Sequence, residues 1–276
     1  MRISAISATV LVAFAMAAAA HEGQVEIGPT QSFPITIDQA GSYLLTTDLD
    51  VASTTANGIE INASDVTLDL GGHVIRGPGA AISDSYGIYS QHTVHSVTVH
   101  NGTVTAFHRG IYLGSSDIAN AGGHRLFDLT ASHCGMTGII VDHAVVRDCI
   151  VHNNGETGFN GSQCVAENIV ASGNGGGISI MEGSCERCVA NDNGFGFWAQ
   201  SATLTGCQAA NNSQDGFSPT VETVMVGCVA TENSGVGFNL QADGSNNLVN
   251  CTADRNTGGN IVNCGVGNGC HQNYLP

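Results

Sequence analysis

The chain has 276 residues and a net charge of −16, with no lysine and seven arginines against 23 acids. Such a surface repels nucleic acid and, unless calcium intervenes, polyuronate chains as well, so a nucleic-acid partner is excluded. Charged residues make up only 11% and glycine numbers 37, which is unlike an ordinary globular domain and points to repeats.

Residues 1–20, MRISAISATVLVAFAMAAAA, carry one basic residue, an apolar run and small residues at the end. That layout reads as a secretory signal cleaved after Ala20, so the mature chain starts at His21 and is secreted or periplasmic. The apolar run is short for a membrane span and nothing comparable follows it, so no span is expected in the mature chain. Residues 21–50 read as an N-terminal cap or entry segment, 51–263 as the repeat region, and 264–276 as a C-terminal tail or cap.

Within the repeat region a glycine is followed by a large apolar residue, as in NGIEI, YGIYS, RGIYL, TGIIV, TGFNG, GGISI and FGFWA. From Gly138 to Gly237 these glycines recur at intervals of 20, 19, 19, 20 and 21, and the earlier coils are longer. Side chains alternate along a strand, so the residue after each glycine faces one way and forms an inward file. The file reads Ile59, Ile88, Ile111, Ile139, Phe159, Ile178, Phe197, Phe217 and Phe238. A second strand in each coil gives two more apolar files, Leu129, Cys149, Ile169, Cys188, Cys207, Cys228 and Cys251, then Ala131, Val151, Ala171, Ala190, Ala209, Ala230 and Ala253. Three residues beyond every alanine-file position but the first lies Asn154, Asn174, Asn193, Asn212, Asn233 or Asn256, a stack able to run amide hydrogen bonds from coil to coil.

Coils of about twenty residues with several short strands and no helical period define an all-β chain, a parallel β-helix of about ten coils. These residues, with the entry segment FPITIDQAGSYLLTTDLDV and NGIEINASDVTLDLGGHVIRG after it, resemble the right-handed parallel β-helix proteins of the pectate-lyase-like superfamily. The resemblance covers nearly all of the mature chain and implies that the glycine-led strands floor a substrate groove. It implies a polysaccharide or cell-surface glycan as partner, bound without necessarily being cut. A polysaccharide lyase, or a rod acting through its regular surface, are the other readings.

Outward positions on the glycine-led strands hold Tyr89, Tyr112 and Trp198, faces on which sugar rings stack, and Asp117 lies just beyond to accept hydrogen bonds. Members of the superfamily that resemble polygalacturonases place an Asp before the repeat glycine and an acidic pair in the next coil. Only Asp215 matches here, without the pair, so the two-carboxylate arrangement of a glycoside hydrolase is missing. A lyase-like reading assigns Arg109, His143 and Asp142 to catalysis, and Asp84 and Asp117 to a Ca2+ ion.

Cys264 and Cys270 flank a glycine-rich loop and are expected to bridge, and Cys164 with Cys185 is a second candidate pair. Pairing of Cys188 with Cys207 on stacked coils is also open, although the cysteine file reads mainly as small apolar core. CERC at Cys185 is interrupted by strand alternation and has no second half, so it does not read as a zinc site. Asp128 and Asp148 precede the cysteine file in consecutive coils and read as a solvated pair.

Overall fold

Each repeat glycine occupies the place where two successive residues point inward. In the strands Tyr86–Ser90 and Arg109–Leu113 the second and third residues are both buried, which breaks the alternation of sides. A Cβ on Gly196 would stand 2.3 Å from the carbonyl oxygen of Gly216 and 2.8 Å from the Cβ of Ala209. Only glycine lets one coil sit on the next at that point.

The computed structural model describes residues 23–30, 32–79, 84–90, 93–114, 122–265, 267–271 and 273, so the expected leader and Asp117 lie outside the described residues. Among these there is no helix, and so none long and apolar enough to cross a membrane. The chain winds as a right-handed parallel β-helix of about eleven turns. One face is a sheet of eleven parallel strands, from Ile35–Ile37 to Ile261–Val262, and contains the repeat glycines; we call it the glycine-led face. A second face runs from Val25–Ile27 to Gly269–His271, and a third from Leu49–Asp50 to Thr252–Asp254. These two belong to one sheet because Thr98–Thr105 and His124–Ser132 run through the corner between them. Parallel pairing begins inside the expected entry segment, where Val25 lies opposite Tyr43, and continues into the expected tail, where Cys270 lies opposite Leu248.

The register turns matched letters into vertical files. Ile111 lies over Ile139, Ile139 over Phe159, Phe159 over Ile178 and Ile178 over Phe197, all fully buried or nearly so. Phe197, Phe217 and Phe238 follow in one column, their rings 4.8 Å apart and within 8° of parallel. The alanine file is equally strict, Ala171 over Ala190 over Ala209 over Ala230.

Three corners close a turn, and from Ser96 onward each uses a left-handed backbone residue. Ser201 (φ 48°), Gly206 (φ 60°) and Asn211 (φ 55°) mark the corners of one turn, with Glu182, Arg187 and Asp192 as their counterparts one turn earlier. Non-glycine residues resist this region, so the stack must hold them there. Part of that hold is the asparagine file. The Asn212 side-chain oxygen accepts the backbone N–H of Asn193 at 3.0 Å, and its amide donates to the Ala190 carbonyl at 3.0 Å and to Asn233 Oδ1 at 2.8 Å. The pattern repeats from Asn154 to Asn233 and stops at Cys134, whose N–H bonds Asn154 Oδ1 at 3.0 Å.

His124 does the same work at another corner. Its Nδ1 accepts the N–H of Val97 at 3.3 Å, just as Asn246 Oδ1 accepts the N–H of Thr223 at 3.0 Å further along. The ring is fully buried, and desolvation, helped by His143 and His95, lowers its pKa to about 4. The unfolded chain takes up this proton near pH 6.5 and the folded chain only near pH 4, so stability is lost as pH falls through that window. The loss is about 3 kcal/mol in total. Urea midpoints measured from pH 7 to pH 4 are expected to fall in the wild type and to flatten in His124→Asn, since asparagine fills this role on a later turn. An equal slope in the variant would assign the acid sensitivity elsewhere.

Cys264 and Cys270 form the expected disulfide. The expected Cys164–Cys185 bridge is not present, and both are buried free thiols. The reason is register: Cys185 lies opposite Ala166, and Cys164 stands two positions earlier on its own coil, in a different file. Cys188 and Cys207 are likewise free.

Candidate functional site

The outward file of the glycine-led face carries Glu60, Tyr89, Tyr112, Ile140, Asn160, Ser179, Trp198 and Ser218 on successive strands. The structure brings Tyr89 and Tyr112 together, with ring centroids 5.7 Å apart and an interplanar angle of 21°. A third ring, Tyr86, joins them at 5.1 Å from Tyr89 and 5.5 Å from Tyr112. All three tyrosines are only partly buried. Simple alternation from Ile88 sends Tyr86 inward, and the two consecutive inward residues Gly87 and Ile88 turn it out instead. The glycine itself was the available signal, because a Cβ there would lie 2.1 Å from Val104 Cγ1.

Polar groups frame this cluster. Arg109 lies over the Tyr86 ring at 5.6 Å and donates to the Tyr86 hydroxyl at 3.4 Å, a cation–π arrangement. On the other side Asn57 donates to Glu60 at 2.8 Å and accepts the N–H of Tyr86 at 2.8 Å, which fixes Glu60 beside Tyr89. Burial pushes the Tyr89 and Tyr112 phenols up, with Tyr86 and Glu60 adding to the first and Asp142 to the second. Both therefore remain neutral hydroxyls, able to donate hydrogen bonds, at ordinary pH.

The remaining predicted residues are dispersed. Arg109 aligns with Thr137 at the start of its strand, whereas Asp142 ends the next strand, about 16 Å further along the chain direction. Tyr112 stands between them and feels both charges. His143 lies past the face, at a corner with φ 50°, its side chain against Gly122 and its Nδ1 buried without a hydrogen-bond partner. Arg109, Asp142 and His143 thus do not converge. Trp198 shares the outward file of Tyr112 but lies four strands away, about 19 Å.

Asp84 faces two nitrogens, His108 Nε2 at 3.4 Å and Arg109 Nη1 at 3.9 Å, and is almost fully exposed. Asp117, its expected partner for a Ca2+ ion, lies outside the described residues, so the pair is not seen together. Asp215, the single match to the hydrolase pattern, accepts from the Val236 N–H at 2.7 Å, Asn239 Nδ2 at 2.7 Å and Ser218 Oγ at 3.4 Å. Its carboxylate is committed to joining turns. Asp128 and Asp148 share one hollow with Arg125 and Arg147, where Asp148 accepts from Asn168 Nδ2 at 2.9 Å and Arg147 pairs with Glu167 at 3.0 Å.

No protein-family model matches the chain, and no curated protein matches it in sequence. Solved structures do match. The A-module of mannuronan C-5 epimerase AlgE6 from Azotobacter vinelandii is 14% identical with a TM-score of 0.56, over 91% of this chain and 88% of that one. The A-module of AlgE4 from the same organism is 12% identical with a TM-score of 0.54, over 89% and 88%. Pectate lyase Pel9A is 17% identical with a TM-score of 0.57, over 80% and 68%. At these identities the likeness concerns the fold, and the chain has the parallel β-helix that these epimerase modules and this lyase share.

Proposed function

We propose that this chain is an exported protein that binds a polysaccharide lengthwise along its glycine-led face. The observation that carries the reading is the three-tyrosine cluster of Tyr86, Tyr89 and Tyr112, framed by Arg109 and Glu60. Stacked, half-exposed rings with neutral hydroxyls at their edges offer apolar faces to sugar rings and hydrogen bonds to their hydroxyl groups. The similar proteins are named for mannuronan and pectate, both polysaccharides, which agrees with the reading.

Trp198 extends the surface. A polymer covering the face would reach both the tyrosine cluster and Trp198, whereas a short oligosaccharide would reach only one of them. Retention on immobilised polysaccharides tests this. Tyr112→Ala is expected to weaken binding of polymer and short oligomer alike by about 2 kcal/mol, roughly thirty-fold. Trp198→Ala should weaken only the polymer. Unchanged retention of both variants would remove the proposal. Salt separates the ligand classes: with a protein charge of −16, binding to an acidic polymer should strengthen as salt rises, and binding to a neutral one should not.

A second reading, lyase or epimerase chemistry, is favoured only by the place of Arg109 at the edge of the ring cluster. It predicts new ultraviolet absorbance from unsaturated uronate ends, or altered C-5 configuration in the polymer. Silence on pectate and alginate, with and without added calcium, would exclude it.

A further inference from the structure

The CERC segment crosses a corner. Cys185 is the middle residue of the second-face strand Ser184–Glu186, Arg187 turns the chain at φ 52°, and Cys188 begins the third face. Both thiols point inward from either side of that turn. Register then adds a third, because Cys207 is the counterpart of Cys188 one turn later, each preceding its paired residue, Val189 or Gln208. The three sulfurs lie within 4.8 Å of one another, and the residues are 1%, 0% and 1% exposed. The half that the sequence lacks is supplied by the next turn of the stack.

This convergence occurs once among the described residues. The file of Cys185 holds Ala166 on the turn before and Leu204 on the turn after, and the file of Cys188 holds Ile169 before it. Only this turn places cysteine in both files. Disulfide formation between in-register neighbours is disfavoured, since their Cβ atoms stand about 4.8 Å apart, beyond the 3.5–4.5 Å that the bond requires. Two of the three thiols have a carbonyl acceptor: Cys207 Sγ donates to the Cys185 carbonyl at 3.4 Å, and Cys188 Sγ to the Glu186 carbonyl at 3.4 Å.

We propose that Cys185, Cys188 and Cys207 form a buried site for one monovalent thiophilic ion of the Cu(I) class. The donor set is three sulfurs in an apolar interior, with Ala166, Leu204 and Ala190 alongside and no carboxylate or imidazole in the group. Soft sulfur ligands select Cu(I), and a low charge suits a dry site. Zinc wants four ligands in a tetrahedron. Of the three, Cys207 carries the sulfur–hydrogen bond directed at the Cys185 carbonyl. Binding replaces that sulfur–hydrogen bond by a sulfur–metal bond and releases one proton to solvent, with no change of oxidation state. Because Cys207 comes from the following turn, the ion would tie two turns together across a corner.

The test is anaerobic refolding of the full chain with Cu(I) supplied as its acetonitrile complex, followed by dialysis against a Cu(I) chelator. The wild type is expected to retain one copper per chain with an all-sulfur shell by X-ray absorption, and to melt at a higher temperature than the metal-free chain. Cys207→Ala should lower copper retention at least about ten-fold. Cys149→Ala, in the same file but outside the cluster, should not change it. If Cys207→Ala fails to fold, Cys185→Ala decides the matter, since its file already accepts Ala166 one turn before. Retention equal in wild type and the cluster variant, retention lost equally in Cys149→Ala, or zinc held in place of copper would each overturn the proposal.

Discussion

Asn212→Ala is expected to lower the stability of the β-helix by about 3–5 kcal/mol, because it orphans two buried backbone groups and leaves a small void. The groups are the N–H of Asn193, now bonded to Asn212 Oδ1 at 3.0 Å, and the carbonyl of Ala190, now bonded to its amide at 3.0 Å. Asn256→Ala should cost less, since Asn256 lies at the end of the file and is 9% exposed, so water can enter the space it leaves. Stacked turns need not unfold in one step, so hydrogen exchange resolved by residue is the better measurement. Protection lost first at residues 190–193 and 209–212 is the expected pattern. Equal, modest losses from both variants would mean that water replaces the amide at little cost.

The phenylalanine column should give an effect of similar size from a different source. Phe217 is fully buried between Phe197 and Phe238, with both ring separations at 4.8 Å. Phe217→Ala is expected to cost about 3–5 kcal/mol, from lost burial and the cavity left behind. Phe159 provides the control: it is just as buried but has Ile139 and Ile178 above and below. The excess of Phe217→Ala over Phe159→Ala, about 1–2 kcal/mol, measures the two ring stacks. If the two variants melt at the same temperature, stacking adds nothing to burial in this column.

The files were legible in the sequence because vertical stacking makes one environment recur every turn, so burial is written as a column of like residues. Phe197, Phe217 and Phe238, the alanines and the asparagines all follow that rule. Tyr86 was not legible, since period-two reasoning fails where a glycine lets two neighbours face inward. The Cys185, Cys188 and Cys207 cluster escaped for a related reason: its members sit on two strands and two turns, and only the corner at Arg187 brings them to one point. Cys164 and Cys185 show the converse: about one coil separates them in the chain, yet they lie in different files. The dispersed positions of Arg109, Asp142 and His143 reflect the length of the strands, since Arg109 stands at the start of one and Asp142 and His143 at and past the end of the next.

The uneven length of the turns has a consequence for how such a molecule can diversify. Gly58, Gly87, Gly110 and Gly138 are 29, 23 and 28 residues apart, and the tyrosine cluster sits among them, whereas later turns hold near twenty. Coupling runs only between neighbours in such a stack, so extra residues at a corner need not disturb pairing elsewhere. The first half can therefore accept new segments beside the aromatic surface, which on the binding proposed above would change selectivity. The second half invites duplication, because a copied unit placed between Gly196 and Gly216 would find compatible partners at both joints and lengthen the rod.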